Sequence, residues 1–408
     1  MEARQLPALA IEHVDGSYPA VFKLTRLEDG RSLSPVPIRS PYEFPVEGRP
    51  NSPLMRELRW YLEQFLDYPF HPETDHADRV LDALRAWGTQ AFNALFDRRD
   101  DGNWLGGSTI LQVRADDPQV LSWPWEALYD PLAGAYLAHQ RPLERRLNGL
   151  PDPQPAANLP NERVNILLVV CRPFEHDVRY RSIARPLIEL IQSRNLPAHV
   201  DILRPPTFDQ LREHLRAHPG YYHVLHFDGH GAYASSGYSS PQQVMARQGY
   251  LIFENGKGRD DPRPARDIAA LLREYPVPAA VLNACQAGTI DEHAEDAFAA
   301  VATALLQSGI RSVVAMAYSL YVSGAQVFLP AFYGRLFQSG CVAEGVRVGR
   351  QHLLADKKRM SARGPFPLED WLLPVLYQQA PLDFAFATQA RVESHESRLP
   401  QEVREQQG

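Results

Sequence analysis

The chain has 408 residues, of which 44% are hydrophobic and 22% charged, with a formal net charge of −7. That is a globular composition, long enough for two or three structural units of roughly 100–200 residues each. The acidic balance argues against nucleic acid as the main partner, because phosphate binding needs a basic surface. No apolar run reaches the ~20 residues that span a bilayer, which argues against direct membrane insertion.

The opening MEARQLPALAIEH lacks the basic-then-apolar layout of a secretory leader. Three cysteines, Cys171, Cys285 and Cys341, are too few and odd in number for a disulfide framework. A reducing cytoplasm is the expected location. Residues 8–27 read as two strands about an Asp15-Gly16 turn. Ser52-Pro53 is a helix start signal with Ser52 as the cap, followed by an apolar stripe of Leu54, Leu58, Tyr61, Leu62 and Phe65. A second helix carries Val80, Leu84, Trp87, Ala91 and Phe96. The strand STILQVRA (108–115) precedes SWPWEALYDP (122–131), in which Trp125 and Glu126 are expected to tie the N-terminal part to the sheet. Residues 147–162 hold four prolines without any period and read as a linker. The expected organisation is an α+β region over 1–146, this linker, a core over 163–387, and a polar tail over 388–408 expected to be disordered.

In the core, VNILLVVC (164–171) is a continuous apolar run, as in a strand buried on both faces. Helix (182–194), strand (198–203), helix (207–217) and strand (221–227) follow, then an irregular loop (231–248) and a short strand (249–253). Helix (265–274), strand (277–284), helix (293–307), strand (310–317) and helices over 324–338 and 341–357 complete the pattern. The alternation predicts the α/β class: a mostly parallel sheet with helices on both faces, preceded by a smaller α+β region.

Ligands in such sheets sit beyond the carboxyl ends of the strands. YYHVLHF runs into Asp228-Gly229-His230-Gly231, and VPAAVLNA runs into Cys285-Gln286-Ala287-Gly288. If those strands are parallel neighbours, His230 and Cys285 face each other across one edge. An imidazole beside a thiol makes a nucleophile, because the imidazolium favours the thiolate. Gly229 and Gly231 let the backbone pass close to a substrate in conformations closed to other residues. The N–H groups of Gly231 and Cys285 are the expected oxyanion donors. No acidic third member is required, since a backbone carbonyl can orient the ring.

HFDGHG (226–231) and NACQAG (283–288), with WPWEALYDP and AYLAHQRPLERR (135–146) before them, resemble the CHAT family. That family is a caspase-like group in the clan that also holds separase. The separation of 285 − 230 = 55 residues is close to the ~50 of caspases. The resemblance spans residues 105–380 and implies a cysteine endopeptidase in which His230 is the general base and Cys285 the nucleophile. It also implies a bacterial defence (antiviral) or programmed-death setting and a protein substrate, with gasdermin-like pore formers encoded nearby as one partner class. Many members carry W-x-V-x-D where this chain has Tyr318-Ser319-Leu320-Tyr321-Val322. Val322 stands where the acid would be.

Cys171, followed by Arg172-Pro173, reads as a packing residue, and Cys341 as a helix start without a histidine partner. His223 and His226 fall on opposite strand faces and do not converge on a metal; neither metal nor cofactor is expected. Asp228, Asn283, Tyr318 and Val322 are candidates for a substrate pocket or for supporting the dyad. The alternative function is a catalytically idle interaction module of the same fold; a dinucleotide enzyme lacks the G-x-G-x-x-G after the first core strand.

Overall fold

The computed structural model sorts these patterns into one 13-stranded sheet with helices on both faces. It describes residues 7–14, 16–97, 104–151, 153, 159–160, 162–174, 177, 181–193, 196–235, 247–286, 296–382 and 384. The tail beyond Thr388, residues 154–158, 236–246 and 287–295 therefore lie outside it. The strands are β1 (Ala8–Val14), β2 (Val21–Arg26), β3 (Val36–Pro37), β4 (Ile110–Ala115), β5 (Leu143–Leu147), β6 (Val164–Val170) and β7 (Ala198–Ile202). They continue as β8 (Val224–Ser235), β9 (Arg247–Glu254), β10 (Asp260–Pro264), β11 (Ala279–Gln286), β12 (Ser312–Met316) and β13 (Pro374–Gln378). The longer helices are α1 (Leu54–Glu63), α2 (Glu73–Phe96), α3 (Arg181–Ser193), α4 (Phe208–Ala217), α5 (Ala265–Glu274), α6 (Asp296–Gln307), α7 (Val322–Ser339) and α8 (Val342–Ala355).

Across the sheet the order is β7-β6-β8-β11-β12-β13-β5-β4-β1-β2-β3. β7, β6, β8, β11 and β12 are parallel to their neighbours, and β13 joins β12 antiparallel. All seven residues of β6 are buried, as a strand covered on both faces requires. α3 packs on α7 and α7 on α8, where Gly345 and Gly349 leave room for the rings of Phe332 and Phe328. The proline-rich stretch falls between β5 and β6, yet both belong to this one sheet.

Three local readings differ from the sequence pattern. Ser52 does not cap α1; Pro53 holds that position, because Arg49–Pro53 pairs with Pro45–Val46 as a ribbon up to the helix start. β8 runs on to Ser235 rather than ending at Phe227, since β9 pairs with its extension antiparallel from His230↔Ile252 to Ser235↔Arg247. The ends of the expected 231–248 loop are thus strand, and its middle lies outside the described residues. β10, DDPRP, has no strand composition; it forms at an outer position beyond β9, where proline is tolerated.

The N-terminal strands join the core at β5–β13. Glu144 on β5 accepts from Gln112 Nε2 of β4 at 2.5 Å and from Gln378 Nε2 of β13 at 2.6 Å. Burial pushes the Glu144 carboxyl up to about 7. In the unfolded chain a glutamate loses its proton near 4.3. The native state therefore binds more protons between these values, so stability falls as pH rises from about 4.3 to about 7. Glu144→Gln is expected to abolish that slope, so that its stability relative to the parent improves by up to about 3 kcal/mol as pH rises through this window. Urea unfolding at pH 5 and pH 8 checks this; an equal difference between the two proteins at both pH values refutes it.

Candidate active site

β8 and β11 are parallel neighbours, and their register pairs Asp228 with Asn283, His230 with Cys285, and Gly231 with Gln286. The two motif positions thus lie side by side toward the carboxyl ends of adjacent strands. β6, β8 and β11 carry the parallel order from the edge strand β7 inward, and the chain reverses direction across the sheet at β6/β8. That is the crevice position for ligands in open α/β sheets.

His230 is largely buried, its side chain 16% exposed. Its Nε2 lies 2.6 Å from Asp177 Oδ1. A carboxylate only accepts, so Nε2 is the donor, and in the neutral ring the lone pair lies on Nδ1. Nδ1 has no hydrogen-bond partner among the described residues. The Phe174 ring stands edge-on to the imidazole at 4.9 Å.

Beneath the histidine, Asp228 is 3% exposed. Arg172 Nη2 donates to its Oδ2 at 2.5 Å and Asn283 Nδ2 to its Oδ1 at 2.9 Å. Burial pushes the Asp228 carboxyl up, against the pull of Arg172. The Arg172 Nη1 also donates to the carbonyls of Cys171 and Asp228, and its backbone N–H to Glu254 Oε1. Asp228 and Asn283 therefore brace the strand ends of β6, β8 and β11 against each other.

Gly229 does not take up a left-handed conformation; a Cβ there would lie 2.9 Å from the Phe227 ring and 3.3 Å from Cys171 Cβ, so close packing requires the glycine. Gly231 is paired in register on both sides, with Gln286 and with Leu251. Cys171 is fully buried with its thiol on the Pro206 carbonyl, and burial pushes its pKa far up. Cys341 stands at the N-cap of α8, and burial raises its thiol too. His226 is buried against Tyr333, whose hydroxyl lies 2.9 Å from its Nδ1, and burial lowers its pKa to about 3.

Tyr318 is buried and lines a cavity of about 20 Å³ with Ser122, Arg145, Ala317 and Tyr377. Val322 opens α7 and is half-buried. The segment between them is clamped to α1: Ser319 donates through both N and Oγ to Glu63 Oε1 at 3.1 Å.

The CHAT domain model matches residues 86–391. The chain belongs to the CHAT domain family. Among curated proteins none matches it. Two crystal structures of the Saccharomyces cerevisiae separase–securin complex, at 2.6 and 3.0 Å, are similar to it with TM-scores of 0.49 and 0.48 and identities of 9% and 10%. The similarity covers 92% and 93% of this chain but 30% of the other, so the chain spans less than a third of those proteins.

The motif that leads into this CHAT core is built into the interior. Trp125 packs with Phe22, Trp87 and Trp123 and donates its indole N–H to the Val120 carbonyl. Gly88 of α2 lies so close to this turn that a Cβ would sit 1.7 Å from the Ala127 carbonyl oxygen. Glu126 meets Arg145 at 2.7 Å through both oxygens and Arg350 of α8 at 2.7 Å. Burial opposes the charge on Glu126, and the two arginines overcome it, holding the carboxyl below its usual range. Asp177 is the residue near the histidine that motif reading did not single out. Its signal was positional: it lies seven residues beyond β6, whose carboxyl end borders the same crevice. Among the described residues no helix is long and apolar enough to cross a membrane.

Proposed function

We propose that the protein is a cysteine endopeptidase in which Cys285 is the nucleophile and His230 its base. The observation that carries this is the register pairing of His230 with Cys285, on a histidine whose Nδ1 is left without another partner among the described residues. His230 takes the thiol proton at Nδ1, and the thiolate adds to the peptide carbonyl. The backbone N–H of Cys285 is assigned to the oxyanion; Gly231, paired in register with Gln286 and Leu251, has its backbone in the sheet instead. The imidazolium then protonates the leaving amine, and water hydrolyses the thioester with His230 again as base. The substrate is a partner protein in a bacterial defence or regulated-death system, a gasdermin-like pore former being one candidate. A reducing cytoplasm, which keeps the thiol free, suits this chemistry.

The residue before the scissile bond is expected to be uncharged. Selecting a cation needs an open carboxylate, but Asp228 is buried and already held by Arg172 and Asn283. Selecting an acid needs an arginine, but Arg311 donates to the Pro153 and Pro381 carbonyls at the opposite end of β12. A positional-scanning peptide library tests both statements. Cleavage of no peptide counts against the endopeptidase; a preference for Arg or Lys that Asp228→Ala removes would move the pocket to Asp228.

A further inference from the structure

The Asp177 carboxylate makes two contacts, and the second decides the effect of the first. Oδ1 faces His230 Nε2 at 2.6 Å, while Oδ2 accepts the Phe174 N–H at 2.9 Å. The Asp177 N–H returns a bond to the Phe174 carbonyl at 3.1 Å. Two residues before Phe174, Arg172 is bonded to Glu254 and Asp228. A carboxylate fixed at both oxygens has one orientation, and its side chain is only 10% exposed.

We propose that Asp177 is a positioning residue for the thiol–imidazole pair: it keeps the His230 proton on Nε2 and leaves the Nδ1 lone pair to take the thiol proton of Cys285. This rests on reading Cys285 and His230 as nucleophile and base. Neutral imidazole has one donor and one acceptor nitrogen, so an acceptor at Nε2 selects the tautomer. When the proton moves to Nδ1, the imidazolium keeps a charge-assisted bond to the carboxylate. Across the strands His230 is in register with Cys285 and with Ile252. Phe174 flanks it, and Asp228, two residues back, is occupied by Arg172 and Asn283. Asp177 is thus the one carboxylate, among the described residues, bonded to this ring.

Asp177→Asn tests it with almost no change of volume. The Phe174 N–H needs an acceptor, so the carboxamide oxygen stays at the Oδ2 position and the amide NH₂ turns to His230 Nε2. Donor then faces donor, and the ring must place its proton on Nδ1, where the base is lost. The measurement is the pH dependence of iodoacetamide alkylation in the full chain, with Cys285 and Cys341 read separately by peptide mass spectrometry. In the parent, Cys285 is expected to react below the usual thiol range of about 8.5, and His230→Ala to remove that reactivity. Asp177→Asn is expected to displace the profile to higher pH and to slow alkylation at pH 7 about ten-fold or more, with Cys341 unchanged. Asp177→Ala, which removes both contacts, is expected to give the same displacement and serves if the asparagine variant does not fold. A profile for the folded variant that superimposes on a His230-dependent parent overturns the role of Asp177 and leaves the endopeptidase standing. Coincidence of the parent with His230→Ala overturns the nucleophile–base reading, and this inference with it.

Discussion

Cys285→Ala and His230→Ala are each expected to lower peptide cleavage by at least ~10³-fold while the fold stays intact. At both positions strand pairing, not the side chain, holds the backbone: Cys285 of β11 is in register with His230 of β8, and His230 in turn with Ile252 of β9. Alanine is therefore compatible with the sheet at either place. Cys171→Ser is the control, expected to keep activity within about two-fold, because the Pro206 carbonyl that accepts from the thiol can accept from a hydroxyl. The measurement is turnover of the best library peptide, with circular dichroism and thermal midpoints alongside. A Cys285→Ala protein that turns over like its parent ends the proposal.

Removing Glu126 is expected to be the costliest single change for stability. Arg145 and Arg350 are both buried, at 1% and 0% exposure, and their shared counter-charge is Glu126. Backbone carbonyls of Leu121 and Trp123 accept from Arg145, and that of Pro374 from Arg350, but these carry no full charge. Stranding buried cations costs about 3–5 kcal/mol, a large part of the 5–15 kcal/mol that typically separates folded from unfolded. Glu126→Ala is thus expected to express poorly or to melt far below its parent. The half-exposed pair Lys23–Glu12, at 3.2 Å, sets the contrast: Lys23→Ala is expected to cost at most about 1 kcal/mol. Denaturant midpoints for the two variants decide it, and a loss for Glu126→Ala no larger than that for Lys23→Ala refutes the assignment.

The strands and helices of the core were legible because each has its own short-range period. β6 announces burial on both faces by an unbroken apolar run, and α5 spans the same residues, 265–274, that its stripe predicts. Where a partner from elsewhere sets the boundary, the local pattern fails. β8 lengthens because β9 satisfies its backbone, and β10 forms from Asp260–Pro264 although nothing in DDPRP favours a strand. The placement of Asp228 followed the same division. Its position at a strand end was readable, but its enclosure by Arg172, 56 residues away in sequence, was not.

By itself the sequence determined the α/β alternation, the family motifs, and the positions of His230 and Cys285 just past two apolar runs. Those features are local: a buried strand, the turn from apolar to glycine-flanked polar residues, and the identity of the side chains at that turn. Only the tertiary structure decided which strands are neighbours, and so that His230 and Cys285 share a register. It alone placed β13 between β12 and β5, making the N-terminal strands part of the same sheet. It alone brought Asp177 to a histidine 53 residues away and Arg350 to a glutamate 224 residues away. No residue period encodes such pairs; they form because a buried charge or donor takes the complementary group that folding delivers to it.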